Sequence, residues 1–401
     1  MNDANPMQML RAADRWATWL VALAIVAVTL VGCGGGGVGV GGTGGYASGP
    51  IAGFGSVIVN GIEFDDRSAR IEDEDGATLA SSILRLGMRT EIDSGAISGS
   101  GDAITAVATR IRVVSDIVGL VTAVDTTANT LSVLGQTVKI AATTVFDESF
   151  TGGLAGVTIG QAVEVYAYFD PSGPGSFTAT RVEPRSTAPT SYKVRGLVRN
   201  FDNSAKTFTI GGVVFNFSGV PPSGVPGTLG ENSLVSVRVA TTQVSGQWSV
   251  QSFGVATRSL GDLDRARVRG LITSFSSATQ FSVNGQAVDA SLAPAVGGLG
   301  LGVRVEAEGP VVAGVLRATK VEIEDLSGAQ SGFKLKGTIG AHLPGIQVFT
   351  LRGVTVFYGA PGVQFENGSA ANIATGVAVE VRGVLSSDGT RLFATRVRFG
   401  S

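Results

Sequence analysis

The sequence predicts an all-β protein: five tandem small (OB-like) β-barrel repeats after an N-terminal signal helix and Gly-rich tether. Three observations predict it. Two short markers recur together along residues 50–401. Turn dipeptides divide each repeat into short apolar runs. No long amphipathic helix pattern occurs after residue 33.

The N-terminal segment comes first. Arg11 and Arg15 precede the apolar run "WATWLVALAIVAVTLVG", residues 16–32. A membrane-spanning helix needs about 20 apolar residues, so this run suits the apolar region of a signal peptide. No A-x-A-like cleavage site follows. The run ends in Leu30-Val31-Gly32-Cys33, and Cys33 is the single cysteine of 401 residues. These four residues resemble the lipobox of bacterial lipoproteins. The resemblance implies that 1–32 is removed and that Cys33 is lipidated and becomes the mature N-terminus. The chain would then be held to a membrane by its lipid. Gly34 rather than Asp after the cysteine implies the outer membrane. Residues 33–49 then read as lipidated Cys and Gly-rich tether, whose glycine coil spans roughly 20–24 Å.

The first marker is a glycine in an opening strand: "IAGFGSV", "IVGLVTAV", "VRGLVRNF", "VRGLITSF" and "LKGTIGAH", with Gly53, Gly119, Gly196, Gly270 and Gly337. The second is Ala-Thr followed by a basic residue, with Thr109, Thr180, Thr257, Thr319 and Thr395. Two markers with matching periods define tandem repeats. Between them lie "VIVNGIEF", "LSVLGQTV", "FTIGGVVF", "FSVNGQAV" and "FTLRGVTV". Asn60-Gly61, Gly211-Gly212 and Asn284-Gly285 carry the chemistry of tight hairpins, which need φ > 0. A further strand follows Gly160, Asn232, Gly300 and Gly376, with Val163/Val165, Val235/Val237, Val303/Val305 and Val379/Val381 alternating with polar residues. In the last strand the alternation puts Thr319, Val321 and Ile323 on an inward face and Lys320, Glu322 and Glu324 outward. Five short strands would leave open edges in a flat sheet, and closure into a barrel removes them. An OB-like barrel is favoured, with an SH3-like barrel as its competitor.

These signatures resemble a group of bacterial lipoproteins, largely proteobacterial, that carry tandem copies of an uncharacterised domain. That domain opens with V-x-G-x-[VI] and closes with A-T-x-V-E. Here the matching segments are "VRGLV" (194–198), "VRGLI" (268–272), "ATRVE" (179–183) and "ATKVE" (318–322). The resemblance covers nearly all of 50–401 and implies architecture and location, without an activity. The repeats are placed at 50–115, 116–186, 191–259, 264–325 and 332–401. Linkers "EPRSTAPTS" (183–191), "SLGDLDRA" (259–266) and "LSGAQSG" (326–332) mark three boundaries.

Composition narrows the chemistry. One His and one Cys exclude a two-His metal site, a Cys cluster and an intrachain disulfide. Net charge is −2, which supplies no global field for nucleic acid. "IEDEDGATL" (71–79) fails as an EF-hand loop, because Ile71 and Ser82 occupy positions that need acids. His342 lacks a triad context and reads as a loop histidine. No catalytic residue, metal site or cofactor is assigned.

Charge is uneven. Residues 191–259 and 332–401 each carry net +4, whereas 50–115 carries −4. Lys193, Arg195 and Arg199 alternate along the opening strand of the third repeat, with Val194 and Val198 turned inward. They are the candidate polyanion-binding residues. Tyr166, Tyr168 and Trp248 are the candidate stacking residues for a sugar. The reading that follows is a non-enzymatic envelope lipoprotein acting as a structural or interaction scaffold. Its expected partners are the membrane through the lipid, and envelope proteins or glycans. A carbohydrate- or polyanion-binding array is the alternative.

Overall fold

The computed structural model describes residues 44–400, except 102, 174 and 325–331. The signal peptide 1–32, with Leu30, Val31 and Gly32, lies outside the described residues. So do Cys33 and most of the linker 326–332. The tether ends earlier than Gly49, because a strand starts at Gly45 and is buried along most of its length.

Barrel 2 shows the plan shared by all five. Its strands are Ile117–Asp125, Thr130–Val133, Gln136–Phe146, Ala162–Asp170 and Ser176–Pro184. The first three form an antiparallel meander. The third runs parallel to the fifth. The fifth pairs antiparallel with the fourth, which returns to the first. This closed 1-2-3-5-4-1 ring is the OB arrangement rather than the SH3-like one. Barrel 1 closes in the same way from Gly45–Phe54 to Ile104–Val113. So do barrels 3, 4 and 5. Among the described residues the helical segments are all short 3-10 turns.

The hairpin between the second and third strands is fixed by its turn pair. Asn60-Gly61, Leu134-Gly135, Gly211-Gly212, Asn284-Gly285 and Arg352-Gly353 all have φ > 0 at both positions, as a type I′ turn requires. The turn also explains the strand glycine. A Cβ on Gly119 would lie 2.6 Å from Leu134, one on Gly270 2.0 Å from Asn284, and one on Gly337 3.2 Å from Arg352. The first turn residue folds across the first strand, and only glycine leaves it room. In barrel 3 that turn residue is Gly211, and Ile210 fills the space over Gly196 at 2.4 Å. Asn60 and Asn284 also donate to the carbonyls of Ser48 and Arg269.

This pairing corrects the first repeat. Asn60 lies over Gly49, where a Cβ would sit 2.2 Å from Oδ1. Gly49 is therefore the equivalent glycine, and Gly53 has a different task. It faces barrel 5, with Gly53 paired to Lys334 and Phe54 to Leu335. In barrel 4 the glycine that precedes the fourth strand is Gly302, with φ 79°, rather than Gly300. Asn232 takes this position in barrel 3 with φ 66°.

The Ala-Thr-basic marker is a β-bulge. Asp93 pairs with Arg110 and Ser94 with Ala108, leaving Thr109 extra. Thr180 and Thr395 are extra in the same way. The bulge turns the predicted facing around. Ala108, Ala179, Ala318 and Ala394 point into the barrels, and the threonines point out. Each threonine hydroxyl donates across to the opposite strand: Thr109 to Asp93 O, Thr180 to Tyr166 O, Thr319 to Glu308 O and Thr395 to Arg382 O. Two residues oppose one at a bulge, so simple alternation fails there. In barrel 3 the extra residue is Gln251. Ala256-Thr257-Arg258 lies past that barrel's last strand, Gln247–Gly254.

The barrels are not separate beads. Gly45–Ser48 runs parallel to Arg265–Val268 of barrel 4. Ile117 and Val118 of barrel 2 pair with Val194 and Lys193 of barrel 3. The buried apolar side chains form three clusters. One joins barrels 1 and 5 and takes in Val145 and Tyr166 of barrel 2, one joins barrels 2 and 3, and one holds barrel 4 with Tyr46 of barrel 1.

Candidate functional site

The polar residues converge where barrels 1 to 4 meet. Asp116 lies between the last strand of barrel 1 and the first of barrel 2, and is fully buried. Arg89 of barrel 1 donates to both of its oxygens at 2.7 Å, and to Ala167 O at 2.8 Å. The Ala167 amide donates to Asp116 Oδ2 at 3.0 Å. Arg195 of barrel 3 reaches Asp116 Oδ1 at 3.3 Å, Ala256 O at 2.9 Å and the Asn284 carbonyl of barrel 4 at 2.9 Å. Burial disfavours both guanidinium charges. Asp116, with Tyr168 and Glu91, more than offsets this at Arg89, whose pKa is raised, while Arg195 is held below its ordinary value. Tyr168 is sealed between two cations, with Arg89 5.5 Å and Arg304 4.9 Å from its ring centre.

A second set of contacts joins barrels 1 and 3. The 71–79 loop is held in a tight turn by Asp73, whose Oδ1 accepts from the Asp75 and Ala77 amides at 3.0 and 2.9 Å. Glu74 then meets Lys193, and Asp75 meets Arg238. Lys193 also donates to Ser115 Oγ at 3.1 Å.

The nominated bases therefore do not form a free basic face. Lys193 and Arg195 are 2% and 3% exposed. Val194 and Val198 do point inward as expected. The outward face of that strand is covered by barrels 1, 2 and 4. Arg199 lies half-exposed at the far end, 3.8 Å from Glu231. Tyr166 and Tyr168 point out of their own barrel yet are buried by neighbours, and Trp248 packs edge-on against Tyr192 at 5.8 Å. None of the three forms an open stacking platform. His342 sits in the strand Phe333–Leu343 rather than a loop, and its Nε2 is 2.8 Å from Tyr358 Oη.

An open cleft of about 770 Å³ lies between barrels 1, 2 and 3. Its floor includes Glu164 and Glu183, directly opposite on adjacent strands. Burial pushes the Glu183 carboxyl up, against the pull of Arg181. Arg181 Nε lies 2.7 Å from Glu183, and Arg185 lies 2.8 Å from Glu164. Each carboxylate is thus paired with its own arginine within barrel 2.

Asp93 ties barrel 1 to the segment after barrel 3. Arg258 grips it with both terminal nitrogens, and Arg110 lies 2.6 Å away. Burial raises the Asp93 pKa, but the hydrogen bonds and charges of Arg258 and Arg110 outweigh it and hold the carboxyl below its usual range. A lowered carboxyl pKa gives stability that is complete above the unfolded value of about 4 and is lost as pH falls through the folded value. Asp93→Asn should therefore lower the melting temperature at neutral pH and flatten its fall on acidification. Melting curves between pH 6 and 3 check this; parallel acid limbs for both proteins would refute it.

The fold and these junctions define a tandem OB-like barrel protein whose repeats are locked by buried ion pairs. The family model of a domain of unknown function (DUF5666) matches residues 118–183, 269–322 and 336–398, which are barrels 2, 4 and 5. Three segments of the chain, repeated along it, thus match this uncharacterised domain. Barrels 1 and 3 share the strand order; they are also the two in which a marker lies elsewhere than the sequence reading placed it. No curated protein matches the chain.

Proposed function

We propose that this chain is a non-enzymatic lipoprotein of the bacterial cell envelope that acts as a structural or interaction scaffold. One observation carries the reading. Two of the three cations that the sequence offered as ligand contacts, Lys193 and Arg195, are consumed by contacts between barrels. Lys193, Arg195, Glu74 and Asp116 hold barrels 1 to 4 to one another. Such an arrangement presents a body of fixed shape rather than an array of open OB faces. The Leu30–Cys33 segment supports attachment by lipid, and Gly34 supports the outer membrane as its site.

Cys33→Ser tests the anchor. The variant should incorporate no radiolabelled palmitate and should leave the membrane fraction. Equal labelling of both proteins would end the lipoprotein reading. Since residues 44–400 contain the barrels, the variant should melt at an unchanged temperature.

A further inference from the structure

In barrels 3, 4 and 5 the residue three positions before the strand glycine begins a row across the outer face of the barrel. Barrel 4 shows the balanced form. Arg267 pairs with Glu308, and Glu308 with Lys320. The row alternates in sign, and Arg267 and Glu308 form a close ion pair. In barrel 3 the row opens with two cations, Lys193 beside Arg238. There the acidic loop of barrel 1 docks on it, Glu74 on Lys193 and Asp75 on Arg238.

Barrel 5 has three cations in the row. Lys334 lies opposite Arg382, and Arg382 opposite Arg396. Like charges directly opposite one another destabilise a sheet. Lys334 is relieved by Glu63 of barrel 1 at 2.6 Å, and Arg396 by Glu366 at 3.3 Å. Among the described residues no carboxylate relieves Arg382 in this way. Its single ion pair among the described residues is Glu380 at 3.9 Å, and its Nε is buried with no hydrogen-bond partner. Its side chain as a whole is 43% exposed, that of Arg396 32% and that of the neighbouring Arg398 51%.

We infer that this outer face of barrel 5 is a docking surface for an acidic protein loop carrying adjacent carboxylates. The chemistry is that of the barrel 1–barrel 3 junction, where Glu-Asp in a tight turn satisfies the same row from outside the barrel. In barrel 5 the equivalent partner comes from another protein. Two neighbouring carboxylates would reach the exposed guanidinium groups of Arg382 and Arg396 together and remove the repulsion along the row.

A fluorescent peptide with the sequence of residues 70–78 tests this against the full-length protein, by anisotropy at low salt. Saturable binding is expected, weakening as salt rises. Arg382→Glu should weaken it by about tenfold or more, since it places like charge against the peptide. The same substitution recreates the alternating row of barrel 4, so its melting temperature should hold or rise, which separates lost binding from lost fold. Lys320→Glu in barrel 4 should leave binding unchanged. Absence of binding, or equal binding by Arg382→Glu, would overturn the proposal. So would Arg382-dependent binding to phosphatidylglycerol vesicles with none to the peptide, which would assign the face to a lipid surface.

Discussion

Asp116→Ala is expected to cost about 3–5 kcal/mol, because removing one member of a buried ionic group leaves uncompensated charge behind. Here two guanidiniums, Arg89 and Arg195, would lose their shared carboxylate while 4% and 3% exposed. Neither can turn to water, since Arg89 is held by Ala167 O and Arg195 by carbonyls of Ala256 and Asn284. The loss falls on contacts between barrels, as the residues touched belong to barrels 1, 2, 3 and 4. Urea unfolding followed at Trp248 measures it; this is the one tryptophan beyond the signal segment. A triple replacement, Asp116→Leu with Arg89→Met and Arg195→Met, should recover much of the stability, because buried ionic groups exchange well for apolar ones of similar volume. A loss below about 1 kcal/mol for Asp116→Ala would place it in the range of an ordinary surface pair instead.

Gly53→Ala is the second large effect. A Cβ here would lie 2.1 Å from the Lys334 carbonyl oxygen and 2.9 Å from Ile58 Cδ1. The first of these is backbone and cannot swing aside. Overpacking of this kind costs about 1–3 kcal/mol. It should act at the seam between barrels 1 and 5, where Gly53 and Phe54 pair with Lys334 and Leu335. Faster amide exchange over Phe333–Leu343 should accompany the drop in melting temperature. Gly95→Ala is the control, since a Cβ there would have nothing within 4 Å and the backbone φ is ordinary. Equal effects of the two substitutions would show that the seam is not the cause.

The barrel itself was readable because its determinants are local. Asn-Gly and Gly-Gly state the turn, valine alternation states the inward face, and Asn232 announces a positive φ in place of glycine. The errors are also local in origin. At the Ala-Thr bulge, period two breaks, so Thr319 faces out where alternation puts it inside. In barrel 3 the marker is Gln251, which shares no residue type with Ala-Thr, and a nearby Ala-Thr-Arg drew the assignment past the strand. The junction was barely readable. Alternation tells which side chains leave a barrel, but not whether solvent or another barrel awaits them. Lys193, Arg195, Tyr166 and Tyr168 all leave their barrels, and all are buried. The opposite net charges of the first and third repeats were the one visible sign that these two belong together. For Asp116, one acidic residue in the apolar stretch "VVSDIVGL" was the available hint.

The first strand, Gly45–Phe54, lies between Arg89–Ser94 and barrel 4 at one end and touches barrel 5 at the other. It is also where any load from the N-terminal side enters the folded body. Hydrogen bonds to neighbouring strands run across the strand axis. A pull on Gly45 along that axis therefore stresses the rungs to both neighbours at once, in shear, instead of opening them one by one as in a zipper. The tension divides among barrels 1, 4 and 5 at a single segment. Mechanically, this strand is the spindle on which three barrels hang.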